Sequence, residues 1–216
     1  MRMKDKVVAW LKVADWDTLE ENVRVDTRVL NGLIQAIYVP DEEIAWRAAE
    51  GFGRAAAITA GIDIEVSRDR IGRLAWALDA RSEISARFAA PAIGEAIARH
   101  PKAFVENAPV LLTALGRRYL QAGAAWALGR VGSAWPDMVR PAAPRLLPLL
   151  KSQDPAVRGN AAWALGEMLA VEALGDLEAL TEDDAAFYMY SEGSLQETTV
   201  QKLAAAACKK IREASG

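Results

Sequence analysis

The sequence predicts an all-α fold, a right-handed α-α superhelix of about five helical-pair repeats. A returning six-residue phrase and a composition suited to close helix packing point to it. The phrase Ala161-Ala162-Trp163-Ala164-Leu165-Gly166 recurs almost unchanged as Ala124-Ala125-Trp126-Ala127-Leu128-Gly129. Looser copies are Ala48-Ala49-Glu50-Gly51-Phe52-Gly53 and Ala89-Ala90-Pro91-Ala92-Ile93-Gly94, and Ala204-Ala205-Ala206-Ala207-Cys208-Lys209 is a degenerate last copy. Their starts at 48, 89, 124, 161 and 204 lie 41, 35, 37 and 43 residues apart, a period in which one helix pair fits and each pair must stack on its neighbours to bury its apolar face. With 52% hydrophobic residues over 216 positions, the chain can bury a continuous core without disulfide or metal. Its 43 alanines favour helix and let helices approach closely.

Taken in order, residues 1–25 are expected to form an N-terminal cap, with one helix from Lys4 to Ala14 and a polar connection from Asp15 to Asn22. Repeats are expected at 26–60, 67–100, 101–134, 137–171 and 173–213, in a single domain spanning 1–216. In the first, Leu33 to Val39 lead through Pro40-Asp41 into a helix from Glu42 to about Thr59. In the second, Leu74 to Leu78 lead through Asp79 to Ser82 into a helix from Glu83 to Arg99, which His100-Pro101 ends because proline disfavours helical geometry in the residue before it. Pro136, Pro141, Pro144 and Pro148 fragment the stretch from Trp135 to Leu150. Asp154-Pro155 then opens a helix with a capping carboxylate and a proline at the first helical position. Thr181 to Ser194 reads as a mobile interior connection whose Phe187-Tyr188-Met189-Tyr190 run could instead fold back on the last repeat. Ser194-Leu195-Gln196-Glu197 has capping-box spacing for the last helix. The pattern predicts a predominantly helical chain with no sheet.

The short helix, Asp-Pro, Val-Arg and Ala-Ala-x-Ala-Leu-Gly succession at Asp154 to Gly166 resembles HEAT repeats, close to the bilin-lyase-like HEAT class, over roughly residues 26 to 213. Arg73-Leu74-Ala75-Trp76-Ala77-Leu78 with Ala90-Pro91-Ala92-Ile93-Gly94-Glu95 is similar to a group of small prokaryotic HEAT-repeat proteins. The resemblance implies a scaffold or docking surface for other proteins. It also leaves open a lyase-like or chaperone-like accessory to a cofactor-bearing protein. A third class is HEAT-like DNA binding of the alkyl-base repair kind, which relies on a strongly basic concave face.

At 100° per residue, Val157, Ala161, Ala164, Leu165 and Met168 gather on one side of the fourth repeat's second helix, with Trp163 and Glu167 roughly opposite. Across the repeats, Glu50, Pro91, Trp126, Trp163 and Ala206 share one column, and Arg54, Glu95, Arg130, Glu167 and Lys210 share the next turn. Recurrent charge suggests an exposed column, because unpaired Arg and Glu are seldom buried. A protein-binding surface is therefore expected at Trp126, Trp163, Arg130 and Glu167, with Glu95 and Arg54 at its edge. The alternative is that both tryptophans fill the gap between successive repeats. Trp76 and Trp10, inside apolar runs, read as core; Trp46 could serve either way.

Little else suggests chemistry. With His100 the sole histidine, no His-based metal cluster or nucleophilic triad is expected, nor a di-iron HEAT hydroxylase site. Cys208 shares the column of Leu165 and reads as a small buried hydrophobe. Gly51-Phe52-Gly53 lacks the Lys-Ser/Thr ending of a phosphate loop, and Glu182-Asp183-Asp184 lacks calcium-loop spacing. No enzyme activity, cofactor or metal is expected. The partner is expected to be a protein or peptide; the net charge of −3 disfavours nucleic acid, and no apolar run is long enough for a membrane. A soluble, cytoplasmic protein is the expectation.

Overall fold

Caps and apolar periodicity place most helices where the sequence puts them. A computed structural model describes residues 1–79 and 87–215. By internal contacts the chain divides into two compact units. One is Met1–Val110 with Glu192–Ser194, the other Leu111–Ser191 with Leu195–Gly216. The fold is all-α and built of repeated helix pairs.

The first unit contains α1 (Met3–Lys12), α2 (Trp16–Val25), α3 (Arg28–Ala36), α4 (Glu42–Ala60), α5 (Ile64–Asp79), α6 (Ala89–Arg99) and the short α7 (Pro101–Phe104). Helix α4 is its axis and packs on α3, α2 and α6. Its start is fixed by Asp41, whose carboxylate accepts from the Ile44 amide at 3.0 Å. Pro101 opens α7 directly after α6 ends, as expected. The start of the helix expected from Glu83 lies outside the described residues. Phe52, Leu30, Leu33, Ile93 and Ile97 are fully buried and form the centre.

The expected polar connection Asp15–Asn22 is instead most of helix α2. Asp15 caps it by accepting from Thr18 N at 3.1 Å, and Leu19 and Val23, four apart, are buried. Trp76 is a second correction. It is 75% exposed on α5, whereas Leu74 and Leu78 are buried, because the latter, about one turn apart, share the face turned to the core and Trp76 lies on the opposite face. Trp10 is half-buried. Trp46 is buried, edge-on to Phe88 with ring centroids 5.5 Å apart.

The second unit carries α9 (Gln121–Ala134), α10 (Pro136–Val139), α11 (Ala143–Leu146), α12 (Pro155–Glu167), α13 (Leu174–Ala179) and α14 (Val200–Ser215), with α8 (Ala108–Leu115) beginning just before it. The prolines break the stretch before α12 into helical and 3-10 turns, as expected. Asp154 accepts from Ala156 N at 2.9 Å and caps α12, with Pro155 at its first position.

No sheet was expected, but β1 (Ala186–Ser191) and β2 (Ser194–Thr199) form a two-stranded hairpin. Its two-residue turn, Glu192-Gly193, has positive φ at both positions, 50° and 80°, the geometry that matches strand twist. The expected connection is therefore ordered as strand, and Ser194 to Glu197 are not a helix cap. That role falls to Thr199, whose hydroxyl accepts from Lys202 N at 3.2 Å. Among the described residues no helix is long and apolar enough to cross a membrane.

The phrase's terminal glycines are where the next second helix comes in. A Cβ on Gly53 would lie 2.4 Å from the Cβ of Glu95, and one on Gly166 would lie 2.6 Å from the Cβ of Ala207 and 2.7 Å from its Cα. Backbone cannot yield as a flexible side chain can. Gly166→Val is expected to cost at least about 1–3 kcal/mol in urea unfolding. By contrast, Gly175→Ala, with nothing within 4 Å, is expected to leave stability unchanged or gain up to about 1 kcal/mol.

Candidate protein-interaction face

The residues proposed from the repeat columns fall into two local settings. In the first unit they form a charged network. Glu50 on α4 accepts from Arg54 Nε at 3.0 Å and Nη2 at 2.8 Å, one turn apart on the same helix. Arg54 also reaches Glu20 on α2 at 2.9 Å and lies 4.8 Å over the ring of Trp16. On α6, Arg99 Nε donates to Glu95 at 2.9 Å, and its Nη2 lies 3.4 Å from Glu50.

Recurrent charge in this column therefore does not mean exposure. Glu50 and Glu95 are buried, at 8% and 3% exposure. Their carboxylates are compensated by guanidinium groups, the condition under which buried charge is tolerated. Arg54 and Arg99 remain half-buried and carry the accessible part of the network. Arg99 and Glu20 were not expected here. Glu95 and Arg99 stand four apart, as Glu50 and Arg54 do, which is the signal that names Arg99; nothing local in the sequence names Glu20.

In the second unit the columns lie on α9, α12 and α14. Trp126 is buried, and its indole Nε1 donates to the backbone carbonyl of Tyr190 on β1 at 2.9 Å. A buried Trp N–H needs such a partner. Of the two readings left open for Trp126, the buried one holds: the hairpin covers it. The Trp126 ring also lies 6.1 Å from those of Trp163 and Tyr190. Trp163 is half-buried. A Cβ on Gly129 would meet its ring at 2.5 Å, so Trp163 fills the gap between α9 and α12 while keeping part of its surface accessible. Glu167, one turn on, accepts from Lys210 of α14 at 2.5 Å, and Arg130 donates to the Ser133 hydroxyl at 3.2 Å.

The hairpin seats on the start of α12. Phe187 occupies the space a side chain at Gly159 would take, 2.3 Å from its ideal Cβ. Arg158 clamps the hairpin base, donating to Asp183 at 2.7 Å and to the Ser152 carbonyl at 2.7 Å. The hydrogen bond from Arg158 holds the Asp183 carboxyl below its ordinary value of 3.8. Cys208 is buried as expected, and burial pushes its thiol upward. His100 is half-buried beside Phe104, with ring centroids 5.8 Å apart. No group of three or more His, Cys, Asp or Glu among the described residues is placed to hold a metal ion.

A family model described as HEAT repeats matches residues 108–189, the segment holding α9, α12 and the start of the first strand. Over that segment the chain is similar to HEAT repeats. Solved structures agree on the fold. One engineered protein matches with 22% identity and a TM-score of 0.57, covering 99% of this chain and 98% of the other. A second engineered protein gives 19% identity and a TM-score of 0.55, covering 99% and 100%. A designed armadillo repeat protein gives 18% identity and a TM-score of 0.54, covering 97% and 100%. No curated protein matches the sequence.

The packing of α9 and α12 places the two tryptophans in different energetic roles. Trp126→Ala is expected to cost about 3–5 kcal/mol, and Trp163→Ala distinctly less, read by thermal melts of each. The depressed Asp183 carboxyl contributes stability above its unfolded value of 3.8, and that contribution is lost as pH falls below it through the folded value. The stability gap between the wild type and Arg158→Met is therefore expected to narrow between about pH 6 and about pH 3 in urea titrations. A gap constant across that range would show that Asp183 gains nothing from the pair.

Proposed function

We propose that this protein is a non-catalytic interaction scaffold that binds a protein or peptide along its second repeat helices. The carrying observation is the setting of Trp163. Its partly accessible ring lies on the same helix as Glu167, and Arg130 stands in the corresponding column of α9. Partly exposed Trp with nearby Arg is the composition most enriched in binding hot spots. Arg54 and Arg99 supply accessible cations of similar placement in the first unit, while Trp126 and Glu95 serve beneath the surface as supports. The HEAT fold supports the reading, since stacked helix pairs present extended rows of side chains to a partner.

The test is affinity capture with the full chain, followed by binding measurements on each protein retained. Arg130→Glu is expected to weaken a true partner by tenfold or more, about 1.4 kcal/mol, in a variant that keeps its helical circular dichroism spectrum. Partners that bind wild type and Arg130→Glu equally would remove this column from the interface.

A further inference from the structure

The hairpin supplies more than a cover. Strand β1 is held on the α9 and α12 face by one main-chain contact and two side-chain contacts. The Trp126 indole donates to a main-chain carbonyl, that of Tyr190, at 2.9 Å. Gly159 leaves a hollow that takes the Phe187 ring. At the strand's entry, Arg158 takes the Asp183 carboxylate at 2.7 Å. Along β1, Phe187, Met189 and Tyr190 are buried, whereas Tyr188 points outward at 65% exposure. The recognition elements therefore read an acidic residue, then an aromatic four residues on, then a second aromatic three beyond that.

The occupant is also one that can leave. A two-stranded hairpin is at best marginally stable alone. Strand β2 is half-buried or exposed along its whole length, so the buried side chains of the hairpin are those of β1, and its turn is held besides by Arg47 Nε, which donates to the Gly193 carbonyl at 2.8 Å.

We propose that the α9 and α12 face is a receptor for an extended acidic–aromatic protein segment, and that β1 is the chain's own occupant of it. A partner strand takes the place of β1, accepting from Trp126 and seating an aromatic ring over Gly159. Main-chain hydrogen bonding supplies affinity and the Gly159 hollow supplies selectivity, the division of labour usual for captured strands. The proposal rests on the scaffold reading and narrows it to one mode of capture.

The probe is a fluorescent peptide with the sequence Asp183 to Ser191, added to the full chain and followed by anisotropy. Phe187→Ala with Tyr190→Ala loosens the internal strand, and the peptide is expected to bind this variant at least about tenfold more tightly than wild type. Adding Gly159→Val fills the hollow and is expected to abolish the gain. Phe187→Leu, a milder release, serves where the double variant loses its helical circular dichroism. Equal affinity for wild type and the released variant, or no binding to any released variant that keeps its helical spectrum, overturns the proposal. Persistence of binding after Gly159→Val overturns it as well. A negative result here with a positive Arg130→Glu effect on a captured partner would leave the scaffold reading standing without strand capture.

Discussion

The distance between successive second helices is the constraint on which the rest depends, and it is set by missing side chains. At Gly53, Gly129 and Gly166 the neighbouring helix stands where a Cβ would be, facing Glu95, Trp163 and Ala207 respectively. Interiors are packed to crystal-like density, so these positions have no slack. Alanines at neighbouring positions of the phrase, such as Ala161, Ala162 and Ala164, are fully buried for the same reason. The copies that start at 48, 124 and 161 share a terminal glycine because each solves this one steric problem.

Close approach then decides what happens to larger and charged groups in adjacent columns. Where a carboxylate falls at the contact, as at Glu50 and Glu95, it is buried and must be met by Arg54 and Arg99. Where tryptophan falls there, its role depends on what lies above. Trp163 packs over Gly129 and keeps an accessible edge, whereas Trp126 lies under β1 and spends its N–H on Tyr190. One column of the sequence thus yields buried ion pairs, a buried donor and a partly open aromatic.

Much of this was legible in the sequence. Asp41 and Asp154 mark helix starts through local hydrogen bonds that need no tertiary information. Column positions follow from helical geometry alone. What failed was the step from residue type to exposure: charge was read as solvent contact, and pairing across α4 and α6 is a tertiary fact. Helix α2 was missed because its polar surface masks a short apolar stripe at Leu19 and Val23. The hairpin left a signal in the strand-prone aromatic run Phe187 to Tyr190 and in Glu192-Gly193, but acidic neighbours gave that segment the composition of a loop. Its seating on Gly159 and Trp126 joins residues far apart in the chain and had no local trace.

The account stands or falls on β1 lying over Trp126 in solution. Hydrogen exchange of the indole N–H groups, followed by NMR on chain labelled with nitrogen-15 at tryptophan, tests this directly. The exposed Trp76 supplies the reference for an indole open to solvent. Trp126 is predicted to exchange at least about a hundredfold more slowly than Trp76, since its proton is released only when the hairpin lifts. Exchange of Trp126 at the rate of Trp76 would contradict the account, because it would mean that the hairpin does not cover the second-helix face.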